Sequence, residues 1–152
     1  MINARDALAR LREGNRRFVA NAPDAPLNTL RRATLVDGQM PIAIVLGCSD
    51  SRVPAELVFD QGLGDLFVIR VAGNIVAPSQ VGSVEFAATR FKTRLVVVLG
   101  HSQCGAILAT LDELRQPVAL RRFEGLDHTP GRVILVGDFD RGIGERAAAI
   151  LR

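Results

Sequence analysis

The chain carries two cysteines, Cys48 and Cys104, and two histidines, His101 and His128. Three of these four stand in comparable places. Cys48 directly follows the apolar run IAIVLG, His101 directly follows LVVVLG, and Cys104 comes three residues after His101. In an open parallel sheet, ligands bind beyond the carboxyl ends of the strands. If the two runs are neighbouring strands, Cys48 and His101 meet at one sheet edge, with Cys104 where the next helix begins. Two thiolates and an imidazole suit zinc, and three protein ligands leave the fourth tetrahedral position free. A closed structural site wants a fourth Cys or His. There is no third cysteine and His128 is the only other histidine, so the inventory favours an open, catalytic site. The positive end of a helix dipole would favour the Cys104 thiolate. The competing reading takes the cysteines as small core residues.

Asp50 and Arg52 follow the first strand end, close enough to Cys48 to sit over a metal. An Asp beside a fixed cation keeps its charge, so it accepts a hydrogen bond rather than donating one. The alternative, Asp50 capping the next helix with Arg52 on the surface, explains neither cysteine.

The elements that must position these residues are legible in the apolar pattern. Ile42–Leu46, Leu66–Val71, Leu95–Leu99 and Val133–Val136 are continuous apolar runs, broken only by Arg70, as expected of strands covered on both faces. Helices are expected at Ser79–Phe91, Cys104–Arg115 and from Arg141 to the end. Residues 4–20 form an amphipathic pattern with Asn3 as N-cap, and a second short helix is expected within Asn28–Asp37, ended by Gly38. Strands alternating with helices imply an α/β fold with a mainly parallel sheet flanked by helices. The 152 residues read as a single domain: a helical arm at 1–38, a core at 39–116 that bears the candidate site, and a tail at 117–152 with the last strand and helix.

Composition excludes several classes. The longest apolar run, Ile42–Cys48, spans seven residues, whereas a membrane helix needs about 20. With no apolar signal core, a cytoplasmic protein with reduced thiols and no membrane partner is expected. The net charge is +3, carried by 18 Arg and one Lys, and seven of the arginines lie in residues 1–32. A basic end can meet nucleic acid, serve as a transit peptide or pair with an acidic partner; its plainest reading is a solvated helix face. Trp and Tyr are absent, which argues against a base-stacking surface and a nucleic-acid partner. Gly137, Gly142 and Gly144 after the last strand fit no phosphate-loop spacing, so a turn is the simpler reading. His128 reads as a surface loop residue.

CSDSRV at 48–53 together with HSQCG at 101–105 closely resembles the β-class carbonic anhydrases. The resemblance extends in order through EGNRRFVAN at 13–21, residues 40–74, GSVEFA at 82–87 and LVVVLGHSQCGAI at 95–107, about the first 110 residues. It implies Zn2+ held by Cys48, His101 and Cys104, with Asp50 and Arg52 as the acid–cation pair beside the reacting water. It implies reversible hydration of carbon dioxide to bicarbonate and a proton. Gln39, Phe67, Ala72 and Gly105 would contact substrate or bound anion. Val45 stands where a bicarbonate-regulated subgroup carries tryptophan, so the resemblance does not imply that regulation. It further implies a homodimer or higher homo-oligomer with N-terminal helices reaching across to the partner. The segment after Gln116 departs from the family's tail. The alternatives are a carbon disulfide or carbonyl sulfide hydrolase on the same scaffold, a zinc-binding assembly module without turnover, and a nucleotide-binding domain.

Overall fold

A computed structural model of the chain describes residues 2–24, 29–115, 134–136 and 148–150. Helix α1 (Ala4–Val19) starts at Asn3, whose side-chain oxygen accepts the Asp6 amide at 2.9 Å. Asp6 in its first turn and Arg16 and Arg17 in its last both complement the helix dipole. Next come α2 (Thr29–Thr34), strand β1 (Ala43–Gly47) and the single-turn helix α3 (Ala55–Val58). Strand β2 (Leu66–Arg70) leads through a 3₁₀ turn at Ala72–Asn74 into α4 (Pro78–Phe91), which has proline at its first position. Strand β3 (Val96–Leu99), α5 (Gly105–Arg115), β4 (Ile134–Val136) and β5 (Ala148–Ile150) complete the order.

The sheet runs β2-β1-β3-β4-β5. β1 pairs parallel with β2 on one side and with β3 on the other. Alternate residues of all three strands enter two cores. Ala43, Val45, Leu66, Val97 and Leu99 meet Ala7 and Leu11 of α1, while Ile44, Leu46, Ile69 and Val96 meet Ala87 of α4. Burial on both faces is why these strands read as unbroken apolar runs rather than alternating ones.

The parallel strands β2, β1 and β3 carry an antiparallel edge at β4, a common extension of a mainly parallel sheet. One expectation is corrected. Residues 148–150, expected in a helix, pair antiparallel with β4, where ladder hydrogen bonds override the helix propensity of alanine. His128, the glycine-rich turn and residues 141–147 lie outside the described residues. Among the described residues, no helix is long and apolar enough to cross a membrane.

The arginine-rich helix packs on its own chain. Arg10 pairs with Asp65 at 2.9 Å, Arg17 with Asp60 at 2.5 Å, and the Asn15 amide donates to the Val58 carbonyl at 3.0 Å. Gly14 lets helix and loop touch, since a Cβ there would stand 1.7 Å from the Phe59 carbonyl oxygen.

Candidate metal centre

The chain leaves β1 toward β2 on one side and leaves β3 on the way to β4 on the other. The loops after β1 and β3 therefore diverge, opening a crevice at the carboxyl ends of two adjacent strands, the usual binding place in such sheets. Gly47 of β1 pairs with Leu99 of β3, so Cys48 and the Gly100–His101 pair leave the sheet at the same level. Cys104 immediately precedes α5, and its carbonyl accepts the Leu108 amide.

The Cys48 sulfur, the Cys104 sulfur and a ring nitrogen of His101 all lie within 4.8 Å of one another. Both cysteines are free and buried, and their sulfurs are 3.8 Å apart. Two sulfurs each about 2.3 Å from one zinc ion at the tetrahedral angle would be separated by about 3.8 Å. The imidazole is set correspondingly. His101 Nδ1 lies 2.9 Å from the Ser102 carbonyl, which can only accept, so Nδ1 carries the proton and Nε2 presents its lone pair. That Nε2 is buried without a hydrogen-bond partner. Two sulfurs at the spacing of a tetrahedral edge, with a buried imidazole nitrogen within 4.8 Å of both, fit a zinc ion.

The charges support the same chemistry. Burial pushes the Cys48 thiol up, but His101 and the backbone amides of Asp50 and Gly73 pull it down further, leaving a pKa of about 7 against an ordinary 9.0. The Cys48 sulfur in turn raises the pKa of His101, against the opposing effect of burial. Arg52 grips Asp50 with Nε at 2.9 Å and Nη2 at 2.7 Å, and its backbone amide adds a third contact at 3.0 Å. These donors hold the Asp50 carboxyl well below the usual carboxylate range. Arg52 Nη2 also donates to the Gln103 carbonyl at 3.0 Å, tying the pair to the loop that bears His101 and Cys104. Asp50 Oδ2 stands 3.9 Å from His101 Nε2, at the margin of the Cys48–His101–Cys104 cluster.

The residues assigned to substrate divide into two groups. Ala72 lies in the turn whose next residue, Gly73, donates its amide to the Cys48 sulfur at 3.4 Å, and Gly105 opens α5 beside Cys104. Gln39 and Phe67 are elsewhere in the chain. Phe67 pairs with Ile44, roughly 13 Å of strand before Cys48, and its ring meets those of Phe86 and Phe91 at 6.1 and 5.8 Å. Gln39 lies beyond the opposite end of β1 and lines a cavity with Ile42, Arg90 and Phe91. The sequence reading passed over Arg70 and Asn74. Arg70 donates to the carbonyls of Cys48 and Asp50, and Asn74 donates to that of Leu99.

The family model described as carbonic anhydrase matches residues 43–124, more than half of the chain. Solved β-carbonic anhydrases share the fold. CafA of Aspergillus fumigatus aligns with a TM-score of 0.53 and 32% identity, covering 60% of this chain and 44% of that one. The chain belongs to the β-carbonic anhydrase family. Among its relatives, carbonic anhydrase of Mycolicibacterium smegmatis is 53% identical over 105 residues, 68% of this chain and 51% of that protein. Carbonic anhydrase 2 of Mycobacterium tuberculosis is 52% identical over 102 residues, 66% of this chain and 49% of that protein. The chain thus spans about half the length of the curated relatives it matches.

Proposed function

We propose that the chain catalyses zinc-dependent, reversible hydration of carbon dioxide to bicarbonate and a proton. The observation that carries this reading is the Cys48–His101–Cys104 cluster with an ionised, doubly gripped Asp50 at its margin. Cys48, His101 and Cys104 would hold the zinc, which when bound supplies the Lewis acidity that makes water a nucleophile near neutral pH. Asp50 is the orienting group. Its carboxylate remains an acceptor throughout the working pH range, because Arg52 keeps it deprotonated. By accepting the hydrogen bond of the attacking water at Oδ2, it turns the oxygen lone pair toward the substrate carbon. Arg52 prevents Asp50 from rotating, and through Gln103 keeps it in register with the second ligand loop. The start of α5 at Gly105 presents first-turn amides to the anionic product.

A homo-oligomer belongs to the same reading. The solved β-carbonic anhydrases of Sordaria macrospora, 33% identical with a TM-score of 0.53 over 64% of this chain and 48% of theirs, are described as tetrameric. Here α4 leaves Phe86 54% exposed and Val81 44% exposed. One chain keeps Gln39 and Phe67 away from its own cluster, so the substrate contacts that the resemblance assigns them would be made at a neighbouring copy's site.

Stopped-flow carbon dioxide hydration on zinc-replete protein tests the activity. A pH of about 8.5 suits it, roughly one to two units above the usual zinc-water value of ~7. Turnover should appear in the parent chain and vanish with the zinc in Cys48→Ser. A zinc-loaded parent chain without turnover would refute the reading.

A further inference from the structure

We propose that Arg70–Asn74 is a brace that sets the two ligand-bearing strand ends against each other, with Arg70 and Asn74 as positioning residues. The proposal rests on the reading of Cys48, His101 and Cys104 as zinc ligands. Four hydrogen bonds from this short segment reach the ends of both strands. Arg70 ends β2 in register with Gly47, and its guanidinium reaches past the end of β1. There Nε donates to the Cys48 carbonyl at 3.0 Å and Nη2 to the Asp50 carbonyl at 2.6 Å. One planar fork thus grips the carbonyls of Cys48 and Asp50, fixing a ligand and the orienting carboxylate as a unit. A lysine keeps the charge but has no such fork. Two residues on, Gly73 adopts φ 71° and directs its amide at the Cys48 sulfur from 3.4 Å. Asn74 then donates its side-chain amide to the Leu99 carbonyl at 2.5 Å, at the end of the strand that leads to His101.

The brace therefore spans the crevice. Arg70 holds the β1 loop, Asn74 holds the end of β3, and the left-handed turn at Gly73 and Asn74 connects them. A three-ligand site built from two diverging loops needs such a link, because neither loop by itself fixes the distance of Cys48 from His101 and Cys104. Groups that hold metal ligands in place typically matter 10–100-fold in metal affinity or activity.

The test measures zinc affinity by competition with a chromophoric chelator in the full chain, alongside melting of the zinc-free protein. Arg70→Lys and Asn74→Asp are the main variants. Aspartate tolerates the φ of 58° at position 74 but cannot donate to Leu99. Each should weaken zinc about 10-fold or more while leaving zinc-free melting unchanged, and kcat should fall with KM unchanged. Arg70→Ala should be weaker still and should recover affinity when guanidinium is added. Zinc affinity within twofold of the parent in both main variants would overturn the proposal. So would a loss of zinc-free melting temperature that parallels the loss of affinity, which would assign the segment to general stability. A parent chain that binds zinc without hydrating carbon dioxide would refute the activity and leave the brace standing. A parent chain that binds no zinc would overturn both.

Discussion

Replacing Gly14 with alanine tests whether the arginine-rich helix is seated on its own chain. A Cβ at this position would lie 1.7 Å from the Phe59 carbonyl oxygen, 2.7 Å from its carbon and 2.9 Å from Gln61 Nε2. The first two are backbone atoms, so no side-chain rotation relieves the clash. An ordinary carbon–oxygen contact is about 3.3 Å, so α1 and the Phe59 loop must separate by roughly 1.5 Å. The helix has little freedom to do so. Leu11 and Ala7, each 1% exposed, anchor it upstream in the core, and the Arg17–Asp60 pair anchors it downstream. Overpacking of this kind costs about 1–3 kcal/mol, or more where backbone must move. Alanine returns up to about 1 kcal/mol over glycine as a helix former. The net loss should be about 2 kcal/mol, or ~4–8 °C in melting temperature for a domain of this size.

Thermal unfolding of zinc-free protein, followed by far-ultraviolet circular dichroism, would measure it. Arg12→Ala, at an exposed position on the same helix, serves as the control and should move the midpoint little. A Gly14→Ala variant with an unchanged or raised midpoint would refute the seating, since it would show only the helix-propensity gain.

Two other perturbations address the candidate centre. Asp50→Asn should retain zinc but slow hydration by about 10²-fold or more, because an amide NH2 facing the Arg52 guanidinium cannot accept its hydrogen bonds; parent-level kcat in stopped flow would remove Asp50 from the mechanism. In zinc-free protein, thiolate absorbance near 240 nm should show a titration with a midpoint of about 7 that is lost in Cys48→Ser. Because folding lowers this pKa from 9.0, Cys48 contributes stability fully above the unfolded value, and that contribution fades as pH falls through about 7. A midpoint near 9 would contradict the environment of the thiol.

The parts of the fold that were legible in sequence are those where burial leaves an unambiguous pattern. IAIVL, LFVIR and LVVVL read as strands because both faces of β1, β2 and β3 are covered, by α1 on one side and α4 on the other. The N-cap at Asn3 and the amphipathic arm were equally readable. Helix α3, with four residues, is too short for any period to show. Arg70 looked like the single charge interrupting an apolar run. Only its register with Gly47 shows that it stands at the strand end, where a long side chain can reach the Cys48 loop. Gln39 and Phe67 illustrate a different limit. A linear resemblance can assign both to a substrate site, but it carries no information about whether one chain brings them there, and the strand between Ile44 and Cys48 keeps Phe67 away.

The placement of the cluster follows from the strand order more than from any single motif. β1 is central, and the connection from it departs to β2, whereas β3 returns on the other flank and its chain departs toward β4. With the two connections diverging, the turns after β1 and β3 face each other across open space, and residues just past Gly47 and Leu99 converge without a designed cavity. That topology accounts for candidate ligands immediately after two strands, and for the third at the start of the next helix. It also creates a weakness, because diverging loops do not support each other. Arg52 answers it from one side, linking Asp50 to the Gln103 carbonyl. Arg70 and Asn74 answer it from beneath, linking the Cys48–Asp50 peptides to the Leu99 carbonyl. The two cross-links attach to different atoms, so they should fail separately. Loss of Arg52 should release the carboxylate and spare the metal, while loss of Arg70 or Asn74 should loosen the metal itself.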